Sequence, residues 1–327
     1  MDFSKRIGKL NPDAIFELDG YFVWCGTMTR GDDGLYYLYF SFWEKELGFD
    51  AWVTHSKVGY AVGKDPFGRF EYQGIALDGR GHGYWDRDCI HNPSVIKHEG
   101  KYYMYYMGNY GNGEYWDHRN HQRVGVAVAE DPRGPWKRFD TPAIDISPSG
   151  HDSLMTSNPA MAITPEGKCV MIYKAVENNG KLPKGGSVVC GIATADSPLG
   201  PFKKSELPIM VNPENEWSVE DAFIWCEGGR FYALAKDFQG YFTGAGANHV
   251  ALFESDDAFD WRLSDERIGY LRGLATEDGD RIELHYMERP QIYIEDGKPF
   301  ALLCACMTEE DFSNSRCSSF NVRLKLD

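Results

Sequence analysis

Five two-residue steps recur along the chain and carry most of its chemically active side chains: Trp24-Cys25, His91-Asn92, Ser157-Asn158, Glu220-Asp221 and Glu288-Arg289. Their second members lie 67, 66, 63 and 68 positions apart. The set holds three carboxylates, a guanidinium, an imidazole and two amides, each next to an apolar, strand-like run. Such groups are costly in a fold interior unless they are paired or used. If five copies of one element bring them to a common mouth, they define a concave polar site. Lys174 (in MIYKA) and Lys236 (in ALAKDF, before Asp237) end the strands that follow, and Trp43 and Asn109 stand nearby in the first two repeats. Carboxylates and amides suit the hydroxyl groups of a sugar, and Trp24, Trp43 or Trp85 could stack on its face. Hydrolysis of a glycosidic bond needs two carboxyl groups, one protonated to assist the leaving group. Like charges at Asp221 and Glu288 would raise the pKa of Glu220, while Lys236 or Arg289 keeps a second carboxylate ionised. A static ion-pair network, Glu288–Arg289 included, is the alternative.

The elements that must position these residues show in two repeats sharing one period. Strand pairs joined by a Gly turn recur as WCGTMTRGDDGLYYLYFSFW, HNPSVIKHEGKYYMYYMGN, SNPAMAITPEGKCVMIYKA, EDAFIWCEGGRFYALAKD and ERPQIYIEDGKPFALLCAC. A further strand and turn begin at Val58, Val124, Cys190 and Val250. Each unit thus has two paired strands and at least one outer strand, which is a propeller blade. One blade cannot bury both faces, so blades pack around an axis. The expected fold is all-β: one five-bladed β-propeller domain over residues 1–327, with inner strands starting near 24, 91, 157, 220 and 288. RIGKLNPDAIFEL is placed to add the strand that closes the ring. Six residues before each aligned position stand Asp19, Asp86, Asp152, Asn215 and Glu283. Recurrence in every blade points to loop capping. For Asp86 and Asp152 a place on the pocket rim is the functional alternative.

On HNPSVIKHEGKYYMYYMG, EDAFIW with its Gly-Gly turn and YALAKD, ERPQIY, and GPW and GPF at blade edges, the chain resembles the five-bladed propeller glycoside hydrolases of families 32, 43, 62, 68 and 117 over most of its length. The resemblance implies an Asp base opening blade 1, a second Asp in blade 3 and a Glu acid in blade 4. It implies inversion in families 43 and 117 and retention in 32 and 68. The acid falls on Glu220, with Asp221 adjacent, and a substrate-contacting Arg of blade 5 resembles Arg289. The blade 3 Asp is Asn158 here. No carboxylate stands at the blade 1 position near Cys25, so the base falls to Asp19, or to Asp86 or Asp152. A His acid, implied by family 117, keeps His91 among the candidates. Glu220, Asp221, Glu288 and Asp19 are therefore the expected catalytic residues. Trp24, Asp86, His91, Asn92, Asp152, Asn158, Lys174, Lys236 and Arg289 are the expected substrate contacts.

The expected activity is hydrolysis of O-glycosyl bonds, exo-acting and inverting. The positive groups Arg87, His91, Lys174, Lys236 and Arg289 favour an acidic or sulfated oligosaccharide. Two alternatives stand beside it: a non-catalytic carbohydrate-binding propeller, and a glycoside phosphorylase using the basic groups for phosphate. No cofactor is required. The resemblance admits a structural cation on the axis, but no dedicated ligand set is visible.

Composition narrows the partners. The 327 residues carry a net charge of -15, which repels phosphate backbones and argues against nucleic acid. No run of 18 apolar residues exists, so no membrane-spanning helix is expected. The eight cysteines form no CxxC pair, and Cys304 and Cys306 read as packing on one strand face. Buried free thiols suggest a cytoplasmic protein. A signal peptide removed ahead of residue 1 would instead make it periplasmic or secreted. Oligomeric state is left open.

Overall fold

The strands of this protein are apolar along nearly their whole length rather than alternating. Tyr36–Glu44 (YYLYFSFWE) is buried at eight consecutive positions, and Lys101–Asn109 is buried at every position after its lysine. A sheet reads this way when both of its faces are covered, which is the situation of a propeller blade between two neighbours. The computed structural model describes residues 2–308 and 319–327. Cys317 lies outside the described residues.

Among the described residues the strands form five four-stranded antiparallel sheets and one small two-stranded sheet, Leu274–Ala275 with Arg281–Ile282. From the axis outward, blade 1 is Tyr21–Arg30, Tyr36–Glu44, Lys57–Gly63 and Glu71–Leu77. Blade 2 is Cys89–His98, Lys101–Asn109, Arg123–Ala129 and Lys137–Arg138. Blade 3 is Met155–Ile163, Cys169–Val176, Val188–Ala195 and Lys203–Lys204. Blade 4 is Val219–Glu227, Arg230–Asp237, His249–Ser255 and Arg262–Tyr270. Blade 5 is Tyr286–Glu295, Lys298–Met307 and Ser319–Lys325, and its outermost strand is Ile15–Phe16 from the other end of the chain. Ile15 pairs with Val322 and Phe16 with Asn321. The ring is thus closed by the strand that the sequence offered for that purpose. The chain forms one five-bladed β-propeller.

Turn chemistry fixes the register of the innermost hairpins. Glu99-Gly100 and Asp296-Gly297 both have positive φ at each residue, as a two-residue turn matched to the right-handed twist of strands requires. The core lies in the seams between blades. Tyr37, Tyr39, Ile90 and Met104 fill the seam between blades 1 and 2, and Tyr103, Tyr105, Met171 and Tyr173 fill the next. Cys304 and Cys306 are buried in the largest of these clusters, as packing residues. Among the described residues no helix is long and apolar enough to cross a membrane.

Candidate functional site

Each inner strand breaks its own regularity at the same place. Cys25, Asn92, Asn158, Asp221 and Arg289 adopt φ of 53°, 55°, 47°, 57° and 53°. Pairing with the second strand slips there in every blade: between Trp24 and Thr27, His91 and Ser94, Ser157 and Ala160, Glu220 and Phe223, and Glu288 and Gln291. In a regular strand, consecutive side chains point to opposite faces. A bulge re-aims them, so both members of a step such as Glu220-Asp221 reach one cavity. A left-handed residue other than glycine costs roughly 1–3 kcal/mol where the surroundings impose it, and least for Asn and Asp, which fill three of the five positions.

The five bulge residues bond to one another around the axis. Cys25 Sγ donates to Asn92 Oδ1 (2.8 Å), Asn92 Nδ2 to Asn158 Oδ1 (2.5 Å), and Asn158 Nδ2 to Asp221 Oδ1 (2.6 Å). Arg289 Nη1 then donates to the same Asp221 oxygen at 3.3 Å. Four residues of this belt, Asn92, Asn158, Asp221 and Arg289, line a cavity of about 220 Å³. Burial pushes the Cys25 thiol up to about 12, so it stays protonated as a donor.

The residues just before the belt form the working wall. Glu220 Oε2 takes Lys174 Nζ at 2.5 Å and its Oε1 takes Lys236 Nζ at 2.5 Å. Lys236 Nζ also reaches Glu288 Oε1 at 2.9 Å and Asp221 Oδ2 at 3.9 Å. Burial alone would raise the pKa of Glu220, but the ammonium groups of Lys174 and Lys236 outweigh it and hold this carboxyl far below the usual range. Glu288 goes the other way. Burial raises it, Lys236 offsets part of the rise, and the negative charges of Asp221 and Glu220 add to it. Burial also lowers Lys236, but Glu220, Glu288 and Asp221 override this and keep its pKa well above the usual value. The sequence expectation of a raised Glu220 is therefore corrected: the raised carboxyl is Glu288, because Lys174 arrives beside Glu220 from blade 3.

Aromatic side chains complete the wall. Trp24, Trp43, Phe49, Trp52, Tyr115 and Trp217 line the cavity. Trp52 and Tyr115 come from short helices, Trp52–His55 and Tyr115–Asn120, that follow the second strands of blades 1 and 2. Asn109, at the end of a strand, ties these together: its Nδ2 donates to the Val53 carbonyl at 2.8 Å and its Oδ1 lies 3.3 Å from His118 Nδ1. Trp52, Tyr115, Trp116, Arg119, Gln122 and Trp217 were not singled out from sequence. They lie in connections that do not follow the repeat; the dense polar-aromatic string YWDHRN was the one local signal.

Of the residues expected at the site, Trp24, His91, Asn92, Asn158, Lys174, Glu220, Asp221, Glu288 and Arg289 line the cavity together, and Lys236 is paired with three of them, Glu220, Asp221 and Glu288. His91 is nonetheless poorly placed to give a proton. Its ring lies 5.0 Å from Trp52, its Nδ1 is 2.7 Å from Ser56 Oγ, and burial followed by the charge of Arg289 lowers its pKa well below the usual value. Three carboxylates lie elsewhere. Asp86 is buried against Arg80 (2.6 Å), the Tyr106 hydroxyl (2.9 Å) and Arg138 (3.4 Å). Asp152 binds Lys204 (2.7 Å) and the Tyr173 hydroxyl (3.0 Å) in the same way. Both tie the entry of an inner strand to the second and outermost strands of its blade. Asp19 is exposed on the turn before blade 1. None of the three lines the cavity, so neither the rim position nor the base role fits them. Trp85 stacks on Tyr106 in a blade seam rather than at the cavity, and Arg87 is bonded to Asp88 outside it. Among the described residues no group of three or more His, Cys, Asp or Glu side chains is placed to hold a metal ion. The positive charge near Asp221 comes from Arg289 and Lys236.

No protein-family model matches the chain, and none of the curated proteins resembles it in sequence. Its fold, however, is that of known enzymes. A family 117 glycoside hydrolase of the marine bacterium Zobellia galactanivorans superposes with a TM-score of 0.67 at 18% identity, over 98% of this chain and 89% of that one. A thermostable family 43 glycoside hydrolase gives 0.64 at 15% identity, over 98% and 96%. The endo-arabinase of Bacteroides thetaiotaomicron gives 0.63 at 12% identity, over 98% and 97%. The chain therefore has the five-bladed propeller fold of the family 43 and 117 glycoside hydrolases, which is the resemblance its repeats carry.

Proposed function

We propose that this protein is a glycosidase that takes the end of an oligosaccharide into the axial cavity. One observation carries the reading. Two carboxyl groups share one ammonium, Lys236, and their surroundings drive their pKa values in opposite directions. Pairs of this kind separate the acid from the base in an active site. Glu288 is the proton donor to the leaving oxygen as the glycosidic bond breaks. Glu220 is the ionised carboxylate that attacks the anomeric carbon as the bond to the leaving oxygen breaks, forming a glycosyl ester; water then attacks that carbon while Glu288, now a base, takes its proton, and the ester bond breaks to free the sugar and Glu220. The aromatic wall supplies stacking faces for the sugar, and the enclosure by the two short helices favours attack at a chain end. The fold neighbours support hydrolysis as the reaction class.

Glu288→Gln tests it. Removing a general acid costs about 10²–10⁴-fold in rate, so released sugar falls by that factor while binding of the oligosaccharide is retained. The profile of kcat/KM against pH carries the same assignment. The raised Glu288 must be protonated, so activity falls as pH rises through a value above the ordinary carboxylate range. The depressed Glu220 stays ionised, so no acidic limb appears in that range. Full activity of Glu288→Gln would remove the assignment, and binding without turnover across an oligosaccharide panel would make the propeller a carbohydrate-binding protein. The number of cations at the cavity favours phosphorolysis as the second reading. Turnover that requires inorganic phosphate would establish it.

A further inference from the structure

Arg119 sits on the short helix Tyr115–Asn120 and lines the cavity. It is 6% exposed, and it has no ion pair among the described residues. Its neighbours hold it without neutralising it. Nη1 donates to Asn120 Oδ1 at 2.9 Å and to the Lys184 carbonyl at 3.1 Å, and the guanidinium lies 5.6 Å from the Trp116 ring centre. Burial lowers its pKa, with only partial compensation from Tyr115 and Glu220. Glu220 is already committed to two lysines.

A guanidinium buried this deeply is costly unless an anion meets it. The cavity supplies none to spare. Lys174, Lys236 and Arg289 already match Glu220, Asp221 and Glu288, and Arg119 is a fourth cation. Protonation of Glu288, which its surroundings favour, widens the excess. Arginine in a fixed orientation is the side chain best suited to a carboxylate or sulfate, which it grips through two parallel hydrogen bonds.

We propose that Arg119 anchors a negatively charged substituent on the bound sugar, a carboxylate or a sulfate ester, so that the substrate of this pocket is an acidic glycan. The inference rests on the carbohydrate reading above and names the substrate class of that site.

Calorimetric titration tests it with matched probes: galacturonate and glucuronate against galactose and glucose, galactose 6-sulfate, and inorganic phosphate. The proteins are the wild type, Arg119→Gln and Arg119→Lys. A hydrogen-bonded charged group is worth about 1.5–3 kcal/mol, so one acidic sugar should bind about 10- to 150-fold more tightly than its neutral partner. That ratio should collapse to near unity in Arg119→Gln and survive in part in Arg119→Lys, which keeps the charge. It should also shrink with added salt in the wild type, a readout that needs no variant to fold. Uronate and sulfate arms tell the two substituents apart. The inference is overturned if acidic and neutral sugars bind alike, if no acidic sugar binds, if Arg119→Gln keeps the ratio, or if free phosphate alone shows the Arg119 dependence. Binding of an acidic sugar without turnover would sink the glycosidase reading and leave this one standing. Hydrolysis of neutral glycosides without acidic preference would do the reverse.

Discussion

Lys236→Met is the perturbation that most directly questions the charge network. Methionine keeps the length and the apolar stem of the side chain and removes the ammonium that lies 2.5 Å from Glu220, 2.9 Å from Glu288 and 3.9 Å from Asp221. Removing one partner of a buried ion pair costs about 3–5 kcal/mol, because the other charge stays buried. Glu220 keeps Lys174 and Asp221 keeps Arg289, so the three losses do not add, and about 3–5 kcal/mol at neutral pH is the expected total. That is a large share of a typical domain stability of about 5–15 kcal/mol. The deficit must also depend on pH. In the wild type, the depressed Glu220 contributes stability that is present above its unfolded pKa and is lost only as pH falls through its folded value. The raised Glu288 contributes stability that is complete below its unfolded pKa and is lost as pH rises through its folded value. In Lys236→Met the ammonium that lowers Glu220 and restrains Glu288 is gone, so both take up protons at higher pH than in the wild type. Each unit of upward shift is worth about 1.4 kcal/mol, so the deficit should shrink by about that much per unit as pH falls from 8 to 5. Urea unfolding of both proteins across that range measures it. A deficit below about 1 kcal/mol, or one equal at both ends, would refute the argument that Lys236 holds the site together electrostatically.

Three further outcomes follow from the geometry. The shared ammonium, 2.5 Å from Glu220 and 2.9 Å from Glu288, keeps their contacting oxygens closer together than the roughly 6.5–9.5 Å of an inverting pair; proton NMR of the first-formed sugar should show the retained anomer, and inversion would mean that Glu220 is not the second carboxylate. Trp52→Ala removes an aromatic wall of the cavity and should weaken oligosaccharide binding by about 10-fold, in line with about 0.5–1.5 kcal/mol for an aromatic contact beyond its buried area; unchanged affinity would place the sugar elsewhere. Phe16→Ala empties a buried site packed 4.6 Å from Phe40 and should cost about 3–5 kcal/mol; a loss under about 1 kcal/mol would show that the closing strand contributes little to the ring.

The period of the five blades was open to reading because it rests on repeated strand pairs; the inner strands begin at Tyr21, Cys89, Met155, Val219 and Tyr286, a little ahead of the aligned steps. The aligned positions were also visible, but not their backbone. Asn92, Asn158 and Asp221 are of the types that most readily adopt a left-handed backbone, but Cys25 and Arg289 are not, so the bulge common to all five inner strands had only a partial signal in the sequence. The direction of the Glu220 shift was missed for a related reason. Sequence adjacency brought Asp221 to mind, whereas Lys174 lies 46 positions upstream and meets Glu220 only once two blades pack. The recurrence of Asp86 and Asp152 pointed to loop capping or the pocket rim, whereas each instead binds a tyrosine of its own blade. Arg119 and Trp52 belong to connections, where no periodicity can speak.

The bulge divides labour between neighbours in the chain. One residue of each step secures the axis, and in four of the five steps the one before it, Trp24, His91, Glu220 or Glu288, lines the cavity, whereas Ser157 bonds back to Asn158. Positions 24, 91, 220 and 288 are thus four sockets on a fixed frame, and Trp24 is one that cannot carry a charge. A library varied at those positions alone could explore new pocket chemistries while leaving every bond of the belt intact, which makes this propeller a natural starting point for redesigning specificity one blade at a time.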